Sequence, residues 1–337
     1  MVATAVVGCA LGLAFAGEAL AQARLGDASV VSSPSSGLLG RFKASALQLT
    51  TYLGTGTFVR GTYADNPYVS EELVFYPRFR LGQGFDLRAQ WALDCELTQP
   101  DNRSGRHCAP SDLRLSLHRP ELYRDPWLKG QLSAAFLVYL PTSSESRFNH
   151  TVMNLRARAG YTLRFFRERL ELAYGFGVQK YLPTQRVRGY GPDSGPRTSS
   201  DNLPLVLSRS SAGTEGSVGS GGALNDNWLF VNSVNVAFHF SPRWSAALDF
   251  GLYNYVRFSV ADAFSDPEKL RTGRADWTSG SLEVAYRPLD RVVVAAGVAS
   301  LQPALTADGK SVRFPFYDFI SPTSNFTKWH LTATVTY

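Results

Sequence analysis

Apolar and polar side chains alternate along most of this chain. In residues 85–97 every second side chain, from Phe85 to Leu97, is apolar, and most of those between are polar. A period of two residues is typical of a β-strand, whose successive side chains point to opposite faces. The pattern recurs, with varying regularity, in residues 42–53, 69–81, 113–118, 130–140, 155–165, 170–181, 228–240, 244–258, 278–286, 292–301 and 326–337. We therefore predict an all-β protein of about 12 strands, long enough to cross a bilayer at a tilt.

The connections between these segments alternate in length. Short turns are predicted at residues 82–84, 166–169, 241–243 and 288–290, with a slightly longer one at 120–129. Longer polar segments lie between them, at residues 54–68, 98–110, 141–150, 182–227, 259–276 and 302–325. This alternation is typical of an up-and-down barrel with turns on one side of a membrane and loops on the other.

The two faces of the predicted strands differ in side-chain size. In residues 170–181, small or charged residues such as Glu171, Gly175 and Gly177 alternate with large ones such as Tyr174 and Phe176. Because glycines and charges cannot fill a soluble core to native density, the large side chains should face lipid and the small ones a wet lumen. This predicts a transmembrane antiparallel up-and-down β-barrel over residues 42–337. The alternative, a soluble β-sandwich, would not need loops that alternate in length.

Aromatic residues near the predicted strand ends are expected to form girdles at the two membrane interfaces. They are Trp91, Trp228, Phe240, Trp244, Trp277, Tyr286, Trp329 and Tyr337. No apolar run outside the first residues reaches the roughly 20 residues that a transmembrane helix needs.

The last predicted strand ends on an aromatic residue. Trp329, Leu331, Ala333, Val335 and Tyr337 share one face, and Tyr337 is the final residue. This strand resembles the C-terminal strand of Gram-negative outer-membrane β-barrels, whose closing aromatic is recognised by the barrel-assembly machinery. The resemblance implies a location in the outer membrane, in contact with its lipid and lipopolysaccharide. It also implies that Trp329, Leu331, Val335 and Tyr337 form the assembly signal.

A second resemblance lies in residues 135–144, which read Ala-Phe-Leu-Val-Tyr-Leu-Pro-Thr-Ser-Ser. They are similar to the strand and Leu-Pro-Thr loop entry of porin-like outer-membrane transporters, including the phenol-degradation-pathway group. The similarity covers one strand and its loop, so it implies no substrate.

Three segments are expected to lie outside the barrel wall. Residues 2–17 are almost wholly apolar and are followed by Ala21-Gln22-Ala23, which predicts a signal peptide at residues 1–23. Cys9 also ends a lipobox-like sequence, although the apolar run continues past it. Residues 24–41 are interpreted as a flexible periplasmic lead-in. Residues 182–227, rich in Gly, Ser and Pro, are predicted to be a long extracellular loop that is either mobile or folded into the barrel mouth.

Cys95 and Cys108 are the two cysteines that remain after the predicted signal peptide. An even pair in an exported chain favours a disulfide, and two free thiols are the alternative.

The charged residues of the predicted inward faces suggest two roles. The chain carries a net charge of +6, mostly from arginine, and parity places Arg88, Arg114, Arg156 and Arg158 on neighbouring inward faces. They would form a basic stripe that attracts anionic solutes, opposed across the lumen by Asp94 and Glu96. Alternatively, the charges pair across strands and close a narrow barrel. The lumen and selectivity candidates are Arg88, Asp94, Glu96, Arg114, Arg156, Arg158 and Arg257.

The motifs of other functional classes are missing from the sequence. Outer-membrane phospholipases need a Ser-His-Asn/Asp arrangement, and His150 lacks the His-x-Ser-Asn run of those enzymes. Metal-ligand clusters, phosphate loops, dinucleotide fingerprints and basic patches for nucleic acid are absent as well. We therefore expect neither an enzyme nor a cofactor.

The predicted function is a monomeric outer-membrane channel or transporter for small hydrophilic or anionic solutes. The alternative is a non-conducting structural barrel. It would anchor an envelope complex through partner proteins or display residues 182–227 for adhesion or partner binding.

Overall fold

Twelve antiparallel strands form the structure. The computed structural model describes residues 45–59, 67–98, 107–148, 150–185, 225–258, 274–306, 309–320 and 325–337. The strands are β1 (Ala46–Gly54), β2 (Val69–Tyr76 and Arg78–Gly82), β3 (Phe85–Glu96), β4 (Cys108–Pro110 and Leu113–Arg124), β5 (Gln131–Leu140), β6 (Thr151–Phe165), β7 (Leu170–Pro183), β8 (Asp226–His239), β9 (Trp244–Arg257), β10 (Arg274–Leu289), β11 (Val292–Pro303) and β12 (Thr327–Thr336). A short 3-10 turn (Thr55–Thr57) follows β1, and a five-residue helix, α1 (Ser144–Phe148), follows β5.

The sheet closes on itself. Each strand pairs with the next along the chain, and β1 pairs with β12 along its whole length, from Ala46 opposite Thr336 to Gly54 opposite Lys328. The predicted up-and-down barrel of 12 strands is therefore confirmed, including closure by the last strand. We call the end with the short turns periplasmic and the other end extracellular.

The outer wall is apolar, as the sequence predicts. On β7, Tyr174 and Phe176 are exposed on the outside, while Gly175 and Gly177 face the lumen. On β12, Leu331 is exposed and Thr332 is buried inside the barrel. A closed barrel leaves no unpaired strand edge, and an apolar outer band suits it to lipid.

Among the residues that the structure describes, no helix is long and apolar enough to cross a membrane.

Several strands are longer than predicted, and in β4 and β10 the extra residues shorten a predicted turn. β4 continues through Pro120 to Arg124, because the pairing with β5 is irregular between Arg119 and Tyr123 and tolerates a residue without an N–H. The predicted connection at residues 120–129 therefore shrinks to 125–130. In that turn the Asp125 carboxylate accepts hydrogen bonds from the Trp127 N–H (2.8 Å) and the Tyr161 hydroxyl (2.9 Å), which hold its pKa below the usual value. β10 similarly reaches Leu289, which shortens the turn predicted at 288–290.

Some predictions concern residues that are not described. The signal peptide (1–23), the lead-in (24–41) and most of the long loop (182–227) lie outside the described ranges, and they remain predictions.

Cys95 and Cys108 form a disulfide, as predicted. It joins the extracellular end of β3 to the first segment of β4, where the two cysteines are paired residues of the sheet. The bond shortens the connection between the two strands.

We expect that thiol labelling of the unfolded chain, with Cys9 replaced by serine, will detect no free thiol before reduction and two after it. A double Ser variant of Cys95 and Cys108 should lose about 3 kcal/mol of unfolding free energy, because the unfolded chain is no longer cross-linked. Equal labelling with and without reductant would contradict the disulfide.

Candidate functional site: the barrel lumen

A cavity of about 250 Å³ occupies the periplasmic half of the lumen, between β2 and β9. Its wall is rich in charged side chains, and the positive ones outnumber the negative. The charged or titratable residues that line it are Arg78, Arg88, Arg114, His118, Arg158, Arg164, Glu171 and Asp249. Four arginines were predicted to form the basic stripe. Three of them, Arg88, Arg114 and Arg158, line this cavity, and Arg156 lies at its edge.

Two arginines of the cavity share one carboxylate. Arg78 on β2 and Arg88 on β3 are paired across the sheet, and both contact Asp86, at 2.5 Å and 3.2 Å. Arg80 approaches the same carboxylate at 3.9 Å. Asp86 is almost fully buried, and its single negative charge cannot neutralise the two guanidinium groups that it holds. The β2–β3 wall therefore carries excess positive charge.

Other charged groups of the cavity also have partners, although the neutral amides of Asn235 and Gln90 cancel no charge. Arg164 and Glu171 face each other on β6 and β7 and form an ion pair of 3.0 Å. Asp249 accepts a hydrogen bond of 2.6 Å from the Asn235 side chain. Arg114 donates to the side-chain oxygen of Gln90. A pair of opposite charges adds little to the net field of the lumen.

Arg156 and Arg158 lie side by side over two glycines of β7. A Cβ atom at Gly175 would lie 3.5 Å from a terminal nitrogen of Arg158, and one at Gly177 would lie 3.1 Å from Nε of Arg156. The absence of side chains there leaves room for the two guanidinium groups. Arg156 contacts the Tyr139 hydroxyl at 3.5 Å, whereas Arg158 has no ion pair with any described residue.

The predicted acidic partners lie in another part of the lumen. Asp94 and Glu96 are further along β3 than Arg88, at its extracellular end, where they pair with Glu72 and Ser70 of β2. Tyr52 donates a hydrogen bond of 3.2 Å to Glu72. The charges are thus separated along the barrel axis, with the basic group towards the periplasm and the acidic group towards the outside.

Arg257, the remaining predicted candidate, is not part of the cavity. It lies at the extracellular end of β9 and contacts Asp226 of β8 at 3.6 Å. This pair connects the two strands at the barrel mouth.

The extracellular half of the lumen contains a packed apolar cluster. It is built by inward-facing side chains of β5 and β7 to β11, together with Phe326: Leu137, Tyr139, Tyr181, Leu229, Val231, Tyr253, Tyr255, Trp277, Leu301 and Phe326. Trp277 is 4% exposed and faces inward, so the prediction that it belongs to an outer girdle is wrong. It packs inside because it is paired with Tyr253 and lies edge-on to Phe326. The lumen is wet only in part.

Sequence parity contained a signal for this cluster. Tyr253 and Tyr255 share the parity of Asp249, a charged residue that belongs on the inward face of its strand. The expectation that large side chains point outward hid that signal.

Polar groups without partners mark the boundary between the cluster and the cavity. Gln179 is 1% exposed, and neither atom of its side-chain amide has a hydrogen-bond partner among the described residues. The hydroxyl of Tyr181 and the side-chain oxygen of Asn154 are also buried without a partner in the described chain. Buried polar groups usually bind something, so these atoms are available to water or to a solute.

The opposite wall is held by short cross-strand contacts. His330 on β12 and Glu283 on β10 approach to 3.1 Å across the intervening strand, and both are buried. They meet because Gly297 of β11 lies between them and has no side chain. Thr50 and Thr332 hydrogen bond at 3.1 Å beside this pair. These contacts stabilise the barrel where it closes.

Other predicted functional residues lie on the outside. Trp329, Leu331, Val335 and Tyr337 are exposed on the outer face, which leaves their role as an assembly signal a prediction. In the described ranges, no group of three or more His, Cys, Asp or Glu side chains is arranged to hold a metal ion.

Comparisons with known proteins show the fold. No protein-family model and no curated protein matches the sequence. The COG4313 outer membrane channel from Pseudomonas putida F1 is similar in structure, with a TM-score of 0.50 at 10% identity, over 91% of this chain and 100% of that one. The NanC porin gives 0.45 at 8% identity and the KdgM porin 0.42 at 7%, each over 87% of this chain and 99% of the other.

At these identities, the likeness to the channel of TM-score 0.50 concerns the fold alone. It agrees with the closed barrel. The chain has the closed antiparallel β-barrel fold of that outer membrane channel, and the location of this chain in the Gram-negative outer membrane stays a prediction.

Proposed function

We propose that the protein is a passive outer-membrane channel for small anionic solutes. The observation that supports this most directly is the unbalanced arginine set of the cavity. Arg78 and Arg88 share one carboxylate, and Arg158 forms no ion pair with a described residue, although the Asp249 carboxylate lies in the same cavity. A guanidinium group presents planar donors that match carboxylate and phosphate groups. An anion in the cavity would complete the contacts that the protein leaves unmade.

The distribution of the charges favours passage of a solute through the cavity over its tight binding there. The walls of the cavity also carry small polar residues such as Ser116, Ser133 and Thr162, which keep it hydrated. Charged walls that surround water raise the local concentration of oppositely charged solutes. Binding that is shared among several arginines lets a solute move from one to the next.

Towards the outside, the path follows the polar side of the lumen. The apolar cluster occupies the sector of β5 and β7 to β11, whereas β12 and β1 to β3 carry Lys328, Tyr52, Glu72 and Asp94. The Lys328 ammonium lies 3.7 Å from the centre of the Tyr68 ring. We place the route of a hydrated solute along this sector.

A second candidate function is a non-conducting structural barrel. The observation in its favour is the apolar cluster, which fills part of the extracellular half of the lumen. If the cluster also blocked the polar sector of β12 and β1 to β3, the barrel would not conduct and would be suited to anchoring or display.

Planar-bilayer recordings of the refolded protein separate the two. We expect single-channel steps and a reversal potential, in a salt gradient, that shows anion preference. Absence of conductance, even after deletion of residues 182–227, would reject the channel.

The Arg158→Gln variant should lower the anion preference. In water, a unit charge about 7 Å from an ion changes its energy by about 0.6 kcal/mol, so the permeability ratio should fall at least roughly threefold. Arg243→Gln, in the exposed turn after β8, removes the same charge outside the cavity and serves as the control. Equal reversal potentials in Arg158→Gln and Arg243→Gln would remove Arg158 from the selectivity mechanism.

The Asp86→Asn variant should shift selectivity the other way. It removes the carboxylate that Arg78 and Arg88 share, so the cavity gains net positive charge and the anion preference should rise. The same reversal-potential measurement checks it, once gel mobility has shown that the variant folds. A shift towards cations would contradict the proposed electrostatics.

Truncating the apolar cluster tests how far it restricts the lumen. Tyr253→Ala removes a buried ring next to Trp277, and we expect a larger single-channel conductance. Leu282→Ala, a truncation on the outer wall, is the matched control and should leave conductance unchanged. If the wild-type barrel does not conduct and only the Tyr253→Ala variant does, the result would favour the structural role.

A further inference from the structure

Part of the outer wall of the barrel is polar. Thr278, Ser300, Gln302 and Thr327 form a patch on neighbouring strands β10, β11 and β12, on the side that faces lipid elsewhere. On the same face, Leu282 and Trp329 are half exposed, as membrane-facing residues should be. Gln302 and Thr327 are instead 0% exposed. Something covers this patch.

The cover is the connection between β11 and β12. Its residues 309–320, which we call the strap, lie against the outside of the wall. The Gln302 side-chain amide donates a hydrogen bond to the Phe314 carbonyl, and the Asp318 N–H donates to the Thr327 hydroxyl over 2.8 Å. A Cβ atom at Gly280 of β10 would collide with the Pro315 carbonyl and lie 2.8 Å from the Phe316 ring. The wall is shaped to receive the strap.

The strap is also fixed by its own contacts. Arg313 and Asp318 form an ion pair of 3.2 Å that is almost fully buried. The Arg313 N–H donates to the Ala304 carbonyl over 3.0 Å, and the Thr306 N–H donates to the Ser311 carbonyl over 2.9 Å. These bonds fix the orientation of the strap, so that the same face is always turned away from the wall.

The outward surface of the strap is apolar. Val312 is 75% exposed and Phe319 69%, and Phe314 and Ile320 are more than half exposed. The rings of Phe314, Phe316, Tyr317 and Phe319 form a chain of contacts with centroids 4.7–5.7 Å apart. An aromatic surface of this kind is costly to leave in water.

We propose that the strap is a lipid anchor, with its aromatic face in the outer leaflet of the membrane. The position of the strap along the barrel axis supports this. Gly280 and Ser300 lie level with Thr327, which is the first of the ten residues of β12. A strand of about 10 residues crosses the bilayer, so the strap lies at the extracellular interface, where aromatic side chains are enriched.

Continuity with the lipid-facing wall identifies the occupant. The aromatic surface of the strap adjoins Leu282 on β10 and Trp329 on β12, which are already exposed to lipid. Hydrocarbon chains therefore cover both surfaces without a break. The strap in turn keeps the polar patch away from hydrocarbon, where uncovered hydroxyl and amide groups would be costly.

Spin labelling of the full chain in lipid bilayers tests the anchor. A nitroxide is attached to Phe319→Cys, with Cys9 replaced by Ser and the disulfide intact, and its collision rates with oxygen and a water-soluble nickel chelate are measured. Labels at Leu282→Cys, on the bare wall, and Asp290→Cys, in the exposed turn before β11, provide the lipid and water references.

We expect the label at position 319 to match position 282, with high oxygen and low chelate collision rates. Chelate rates that match position 290 would place the strap in water and overturn the anchor. Low rates with both reagents would mean that protein, such as a second copy of the chain, covers the strap, and would overturn it equally.

The seat of the strap is tested separately. Gly280→Val should push out Pro315 and Phe316, so the label at 319 should shift towards the water reference while the label at 282 stays unchanged. Gln302→Leu, which removes the hydrogen bond to Phe314, should give a smaller shift in the same direction. Unchanged collision rates at 319 in both variants would reject the docking contacts. None of these outcomes depends on whether the barrel conducts.

Discussion

Pairing of β1 with β12 is the constraint on which the rest of the structure depends. In hydrocarbon every backbone N–H and C=O must be bonded within the protein, and a sheet meets that demand only when its first and last strands join. Closure divides the side chains into an outer set selected for lipid and an inner set that must fill or wet a narrow lumen. The Glu283–His330 and Thr50–Thr332 contacts lie beside this seam, so the polar interior strengthens the wall where it closes.

The inner side chains fill the narrow lumen differently at its two ends. Towards the outside, rings such as Tyr253 and Trp277 pack together as in a soluble core. Towards the periplasm, glycines make room for long cationic side chains and leave a cavity, as Gly175 does for Arg158. A packed cluster and an open cavity thus occupy separate parts of one barrel.

Much of this architecture could be predicted from the sequence. Two-residue periodicity locates the strands, alternating loop lengths order them, and parity places Arg88, Arg114 and Arg158 inside. Parity does not report height, but position along a strand does. Asp94 and Glu96 follow Arg88 in one strand, which rises about 3.3 Å per residue, so the sequence places them at another height than Arg88 and does not favour a charge pair across the lumen. Trp277 was assigned to the wrong face because its large side chain outweighed its parity, which it shares with the inward-facing Glu283. Residues 302–325 read as an ordinary polar loop because the hydrogen bonds of Gln302 and Thr327 to this segment form only once the three strands β10, β11 and β12 are aligned in the sheet.

The strap on the outer wall also determines how the barrel can be approached from outside. The described residues 309–320 are bound to the exterior of the wall, so they do not cover the mouth. The rim formed by β11, β12 and β1 is next to the polar sector that carries Lys328 and Tyr52. The start of β12 therefore serves two surfaces. Thr327 binds the strap on the outside of the wall, and its neighbour Lys328 belongs to the polar sector of the lumen.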